Sequence, residues 1–278
     1  MPTPLRAAAR ELAAYLRALD ENLVEPGPAA PAAAETPAKA PAAAAVPSAA
    51  AKPQEAENMP AAPGTKSVPP APEQAADLPS LAEKVKNCRR CCLGLARLNP
   101  VFGVGNPKAR IVFVGEGPGF QEDHQGEPFV GRSGQLLDKI METVLGLKRS
   151  EVYIANIVKC HPMKSPETPE AHGNDRPPTP EEISACRPYL DEQLRLIRPA
   201  CIVTLGSVAT KVLLGTEKGI STERGKWRDY PVELFGPGKP IKVMPTYHPA
   251  ALLRNPNLKR DTWEDMKQVK AFLDGTVA

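Results

Sequence analysis

Three kinds of residue in this sequence could do chemistry together: a carboxylate set among glycines, a histidine that follows an apolar run, and cysteines at a chelating spacing. Glu116 stands in Gly115-Glu116-Gly117-Pro118-Gly119, directly after the apolar residues Ile111 to Val114. The glycines permit positive φ and close approach of backbone to a ligand. A carboxylate beside backbone N–H groups can orient a water or oppose a developing positive charge. The spacing is not the dinucleotide-binding fingerprint, because the third glycine comes too soon and Pro118 intervenes. A plain strand-to-loop turn would read the same way. His248, in Tyr247-His248-Pro249-Ala250-Ala251-Leu252-Leu253-Arg254, could donate a hydrogen bond to a leaving group. The leucines and arginine after it could form a wedge with a phosphate contact, or be core residues of an ordinary helix start. Asn156 lies inside the apolar run Val152 to Lys159. A carboxamide there is costly unless its hydrogen bonds are met, either by neighbouring backbone or by a base edge that offers one donor and one acceptor together.

Six cysteines are present. Cys88 and Cys91 form a C-x-x-C pair, Cys160 follows Lys159, and Cys186 lies in a later helix-like segment. Four thiolates can hold zinc or a [4Fe–4S] cluster; buried structural cysteines are the alternative. Cys92 competes with Cys91, but the two-residue gap favours Cys91. Cys201 opens an apolar run and reads as a small core residue.

These groups need elements to position them. Apolar runs predict strands at 110–116, 152–159, 201–205 and 241–247. Between them the 3.6-residue spacing predicts helices at 131–145, from Thr179-Pro180-Glu181-Glu182 to about Ile197, at 208–214 and at about 262–273. Strands alternating with helices, and continuously apolar, predict a three-layer α/β/α sandwich around a four-stranded parallel sheet. The loops that carry Glu116, Asn156 and His248 then meet at one end of that sheet, where such folds bind ligands.

The folded body so defined runs over 78–278. Before it, residues 26–77 are almost entirely Ala, Pro, Glu, Lys and Ser, a composition that cannot offset its own ordering entropy and predicts a disordered linker. Residues 1–25 hold an amphipathic pattern (Leu5, Ala8, Leu12, Tyr15, Leu16, Leu19, Leu23) that predicts a helix over 4–24, docking on a partner or on the body, or only marginally formed. The formal charge of +3 is unevenly divided: 6 basic and 9 acidic residues up to position 77, then 29 and 23 beyond it. A mildly basic body suits contact with a polyanion such as DNA, and equally an ordinary soluble enzyme. No run of 18 apolar residues and no signal-peptide pattern occurs, so the expected setting is reducing and intracellular, without membrane association.

Taken together, the C-x-x-C pair, GEGPG (115–119), EPFVGRSGQLL (127–137), NIVKCHP (156–162), TLGSVA (204–209) and HPAALLR (248–254) resemble the family-4 uracil-DNA glycosylases, the iron–sulfur type of bacteria and archaea. The resemblance covers about 78–273 and does not extend to 1–77. It implies a monofunctional DNA-repair enzyme that flips uracil out of single- or double-stranded DNA and hydrolyses its N-glycosidic bond. Position by position, it implies that Glu116 places the water and that the Gly117 backbone lines the pocket. Phe129 would stack on uracil, and Asn156 would read O4 and N3–H. Glu122 would exclude the thymine methyl, and His248 would stabilise the departing base. Leu252, Leu253 and Arg254 would fill the gap in the duplex. Cys88, Cys91, Cys160 and Cys186 would hold a structural [4Fe–4S] cluster. A monomer is implied, cytoplasmic in a bacterium and nucleoid-associated when bound to DNA.

Two features depart from the family pattern. The loop between Cys160 and Cys186 carries an insertion, which puts the role of Asn174 in doubt. It also brings in His172, the residue type by which a related branch binds uracil-DNA covalently. That branch places a Lys/Arg-rich segment before its histidine, whereas the flank here is Thr168-Pro169-Glu170-Ala171. The N-terminal helix and linker are the second departure, with a repair or replication partner as their expected use.

Overall fold

The computed structural model describes Ala13, Ala14, Leu16, residues 74–230 and residues 240–276. The expected linker, most of the expected N-terminal helix and residues 231–239 lie outside the described residues. Ala13, Ala14 and Leu16 are helical, and Leu16 packs partly buried against the core.

Residues just ahead of Leu78 already hold to the body. The Ala75 N–H donates to Glu192 Oε1 (2.7 Å), and Asp77 caps the first helix by accepting from the Ser80 N–H (2.9 Å). In chain order the elements are α1 (Leu78–Lys86), α2 (Leu93–Ala96), β1 (Val104–Gly105), β2 (Ile111–Gly115), α3 (Phe120–Gln125), α4 (Arg132–Ile140), β3 (Tyr153–Asn156), α5 (Pro180–Ile197), β4 (Cys201–Leu205), α6 (Ser207–Leu214), α7 (Ile220–Glu223), β5 (Arg228–Asp229), β6 (Lys242–Thr246), α8 (Pro249–Arg254) and α9 (Lys259–Leu273).

The sheet order is β1-β3-β2-β4-β6-β5. Its four central strands are parallel, as the apolar runs predict. The expected count of four is corrected to six: β1 and β5 add antiparallel edges of two residues each. Segments so short carry no periodicity, and Val104-Gly105 reads as loop. Helix α3 is likewise absent from the sequence reading, because it is short, polar after Phe120 and bounded by Gly119 and Gly126. The helix expected over 131–145 is α-helical only to Ile140; one π-helical turn, Met141–Leu145, completes it before Gly146 ends it with φ +69°.

Although β2 is apolar at every position, its side chains still alternate between the two faces. Val112 and Val114 join a core with α1, α5 and α6 (Leu81, Val85, Leu190, Leu194, Leu213). Ile111 and Phe113 join the other, with α4 and α9 (Leu136, Leu137, Ile140, Trp263, Met266). Each fully buried Leu or Ile contributes about 1.5–3 kcal/mol relative to exposure, so both faces of the sheet are firmly covered. The chain leaves β2 toward β3 on one side and later returns to β4 on the other. The loops after β2 and β4 therefore diverge, opening a crevice at the carboxyl end of the sheet.

Candidate functional site

That crevice is a cavity of about 770 Å³. The loop after β2 lines it with Glu116 to Gly119, the loop after β4 with Gly206 and Ser207, the end of β3 with Asn156, and the segment after β6 with Tyr247 and His248. Of the residues expected at the site, Glu116, Gly117, Glu122, Phe129, Asn156, His248, Leu253 and Arg254 all border this cavity. Leu252 does not: it is 0% exposed and belongs to the core under α4 and α9.

Convergence is tightest around Gly115. A Cβ there would collide with Asn156 Oδ1 and stand 2.6 Å from Phe129 Cζ, so glycine is what lets the two side chains meet over the end of β2. Asn156 is 2% exposed, and its Oδ1 is buried without a hydrogen-bond partner. Such an acceptor costs free energy unless something else completes it. The Phe129 ring lies 5.5 Å from the His248 ring, tilted by 31°. Phe129 itself has φ +54°, a left-handed conformation in which a bulky residue is strained.

Glu122 explains how that conformation is held. Its Oε2 accepts from the Gly119 N–H (3.1 Å), and its Oε1 accepts from the Val130 and Gly131 N–H groups (3.2 and 3.3 Å). One carboxylate thus ties the start of α3 to the turn that carries Phe129. Truncating it leaves three backbone donors to find other partners. Glu122→Ala should destabilise the protein by about 1–2 kcal/mol, read by urea unfolding, and should weaken binding of uracil-DNA; unchanged values in both would remove the clamp role.

His248 is the N-cap of α8: its Nδ1 accepts from the Ala250 N–H (3.1 Å). With Nδ1 used as an acceptor, the neutral ring carries its proton on Nε2. Burial, assisted by the Arg254 charge, pulls the imidazole pKa down to about 4, so the ring is neutral at physiological pH. The preceding strand end is anchored from behind. Thr246 Oγ1 donates to Asp265 Oδ2 (2.7 Å), which also accepts from Arg224 Nε (3.1 Å), and the Arg224 guanidinium lies over the Tyr247 ring. Burial of Glu116 raises its pKa above the ordinary carboxylate value.

The inserted loop folds onto the rim. Asn174 is buried and binds the loop's own backbone at Ser165 and Thr168. Its neighbours Asp175, Arg176 and Pro177 border the cavity. His161, fully buried, holds Asp175 (Nε2 to Oδ1, 2.7 Å) and faces buried Asp123 (Nδ1 to Oδ2, 3.6 Å). Arg176 makes a bidentate pair with Glu182 (2.6 and 2.8 Å). His172 does not border the cavity; its ring stands 4.4 Å from that of Phe120, which does. Sequence reasoning misses Asp123, His161 and Asp175. Their signal is faint: a polar residue becomes informative only once the fold buries it.

Cys88, Cys91, Cys160 and Cys186 border one small cavity between α1, α5 and the segment after β3. Cys201 lies in the core on the opposite face of the sheet, where burial pushes its thiol up to about 12. Donors already reach these sulfurs: Arg97 Nη1 to Cys160 Sγ (3.1 Å), the Lys159 N–H to Cys186 Sγ (3.3 Å), and the Leu93 and Gly94 N–H groups to Cys91. Burial pushes Cys160 up to about 12 and Cys186 to about 11, so only a bound cation would make these sulfurs thiolates. Among the described residues, no three of His, Cys, Asp or Glu stand close enough to share a single metal ion. Four thiols around one cavity, with hydrogen-bond donors on the sulfurs, suit a larger thiolate-held cluster.

The fold is an α/β sandwich with its cavity at the carboxyl end of the sheet, and comparison with known proteins says which family it belongs to. Residues 102–267 match the family model described as the uracil DNA glycosylase superfamily. The chain belongs to that superfamily and, within it, to the type-4 uracil-DNA glycosylase family. It is 43% identical over 200 residues to the type-4 uracil-DNA glycosylase of Sulfurisphaera tokodaii, covering 69% of this chain and 83% of the relative. To that of Thermotoga maritima it is 44% identical over 195 residues (69% and 93%), and to that of Archaeoglobus fulgidus 42% over 194 residues (69% and 91%). No helix among the described residues is long and apolar enough to cross a membrane.

Proposed function

We propose that this chain is a DNA-repair glycosylase that extrudes uracil from DNA and hydrolyses its N-glycosidic bond, leaving an abasic site. One observation carries the reading most: the unpartnered, buried Asn156 Oδ1, set beside Phe129 and His248. Uracil N3–H is the donor that this oxygen lacks, and the amide nitrogen can serve O4. Phe129 offers a face for the base. His248 Nε2–H donates to O2 as charge develops on the departing uracil, and Glu116 holds the attacking water against the oxocarbenium-like sugar. Leu253 and Arg254 meet the gapped strand. Leu252 supports them from the core. Glu122 acts on base choice through the Phe129 turn that it secures.

The four cysteines suit a [4Fe–4S] cluster; bound there, it would supply a structural cross-link among α1, α5 and the segment after β3. Residues 78–278 form the glycosylase domain of this reading. Residues 26–77 act as a linker and 1–25 as a helix for a protein partner, on a monomer working in the cytoplasm.

Incubating the purified chain with a uracil-containing oligonucleotide, then cleaving with alkali, tests the activity. Strand scission at the uracil is expected; its absence, or full activity after changing both Glu116 and His248 to alanine, would overturn the mechanism. Brown colour with matching iron and sulfide content tests the cluster, and a colourless protein with bound zinc would sink it.

A further inference from the structure

The inserted loop brings rings to the edge of the cavity. Phe120, the first residue of α3, borders that cavity. Its ring lies 4.2 Å from the His124 ring, tilted by 35°, and 4.4 Å from the His172 ring, tilted by 38°. Helix α3 and the insert therefore meet ring against ring, at separations that suit stacked or tilted pairs. Rings that only filled a gap between two elements would be covered. Here Phe120 is half-buried, and His172 stands exposed between Ala171 and Gly173, which are exposed as well.

The rings are held in place. His124 Nδ1 meets the Phe120 carbonyl (2.7 Å) and its Nε2 meets Glu170 Oε2 (2.9 Å), so both ring nitrogens are engaged and the insert is tied to α3. Backbone on either side of His172 is anchored too. The Ala171 N–H donates to the Thr168 carbonyl (3.0 Å), and Lys164 Nζ donates to the Gly173 carbonyl (3.1 Å). Buried Asn174 fastens the loop from within. A ring ordered beforehand loses little freedom when something stacks on it.

The cavity indicates what that is. Extruding a base leaves its strand neighbour without a stacking partner. That neighbour lies at the cavity mouth, where Phe120 stands. An aromatic side chain accepts the face of any base, whatever the sequence.

We propose that His172, backed by Phe120, is a stacking subsite for the nucleobase that adjoins the extruded uracil on the same strand. The proposal rests on the glycosylase reading above and deepens it. The stack is equally good in bound substrate and transition state, so it acts on KM and not on kcat.

The test uses the full chain and single-stranded uracil oligonucleotides, either intact or with a tetrahydrofuran spacer in place of the base on the 5′ or the 3′ side of the uracil. One of the two spacers should raise the wild-type KM about fivefold or more, with kcat within about twofold. His172→Ala should show the same rise on the intact strand and no further rise on that spacer strand. His172→Trp keeps a flat face without the imidazole and should restore the wild-type KM. An unchanged KM in His172→Ala, or a second full rise on the spacer strand, overturns the subsite. So does recovery in His172→Lys but not in His172→Trp, which would mean a phosphate contact. Failure of the subsite alone leaves wild-type excision intact and indifferent to the spacers. If the wild type cleaves none of the strands, the glycosylase reading falls and the subsite falls with it.

Discussion

His248→Ala should lower kcat for uracil excision by about 10²–10³-fold while KM for DNA changes little. The effect follows from a donor whose direction is set by backbone. The Ala250 N–H occupies Nδ1, so in the proposed mechanism the neutral ring would meet the leaving base with Nε2–H. A donor of that kind matters most when charge reaches uracil O2, and much less in the bound substrate. Loss of the cap adds about 0.5–2 kcal/mol of destabilisation, which would confuse a single variant. His248→Asn separates the two: it can still cap α8, so stability should recover while the rate stays low. Wild-type kcat recovered in His248→Asn would refute the assignment. The pH dependence has a definite sign. The folded pKa of about 4 lies below the ordinary 6.5, so between those values the unfolded chain binds the proton more readily. Stability from this residue is complete above about 6.5 and falls as pH drops toward 4. Excision should show no His248 limb until pH approaches about 4.

Asn156→Asp should cost about 10³-fold or more in kcat/KM on uracil, because a site built to complete a base's donor–acceptor edge penalises any mismatch heavily. An ionised aspartate at this position would set two acceptors against uracil O4 and N3–H, and O4 would be repelled. Burial favours the protonated acid, whose proton can sit on either oxygen, so that donor and acceptor can also be presented in the reverse order. That order suits cytosine N3 and its amino group. Slow cytosine excision should therefore appear, and grow as pH falls. Equal uracil rates in wild type and variant, measured on one oligonucleotide in single turnover, would show that Asn156 does not read the base.

Much of this architecture is written in the order of residues. The four parallel strands are legible because each begins as a short apolar run, although the second is expected to reach Lys159 and ends at Asn156. Glu116 and His248 are legible because each follows such a run, and Asn156 because an amide inside one needs hydrogen-bond partners; a parallel sheet brings the strand ends together. What stays hidden has a common cause. Leu252 and Leu253 are identical letters in HPAALLR, yet one is core and the other borders the cavity; only the rotation of α8 separates them. Glu122 reads as one more polar residue in an acidic turn, because its three partners are backbone N–H groups, which leave no trace in side-chain patterns. Lys159 appears as the polar end of a strand. Its buried hydrogen bond goes to Gln193, 34 residues away, and no local period reports such a meeting.

The contact of Phe129 and Asn156 over Gly115, where no methyl group would fit, bears on who does the moving. All three are fixed to one sheet end, and the Phe129 turn is fastened by Glu122. With these residues already in place around the cavity, the work of extrusion is expected to fall on the nucleic acid. Bases already loose in their strand should then be processed fastest, in the order single-stranded uracil, uracil opposite guanine, uracil opposite adenine. On this view the enzyme surveys DNA for its softness before it ever reads a base.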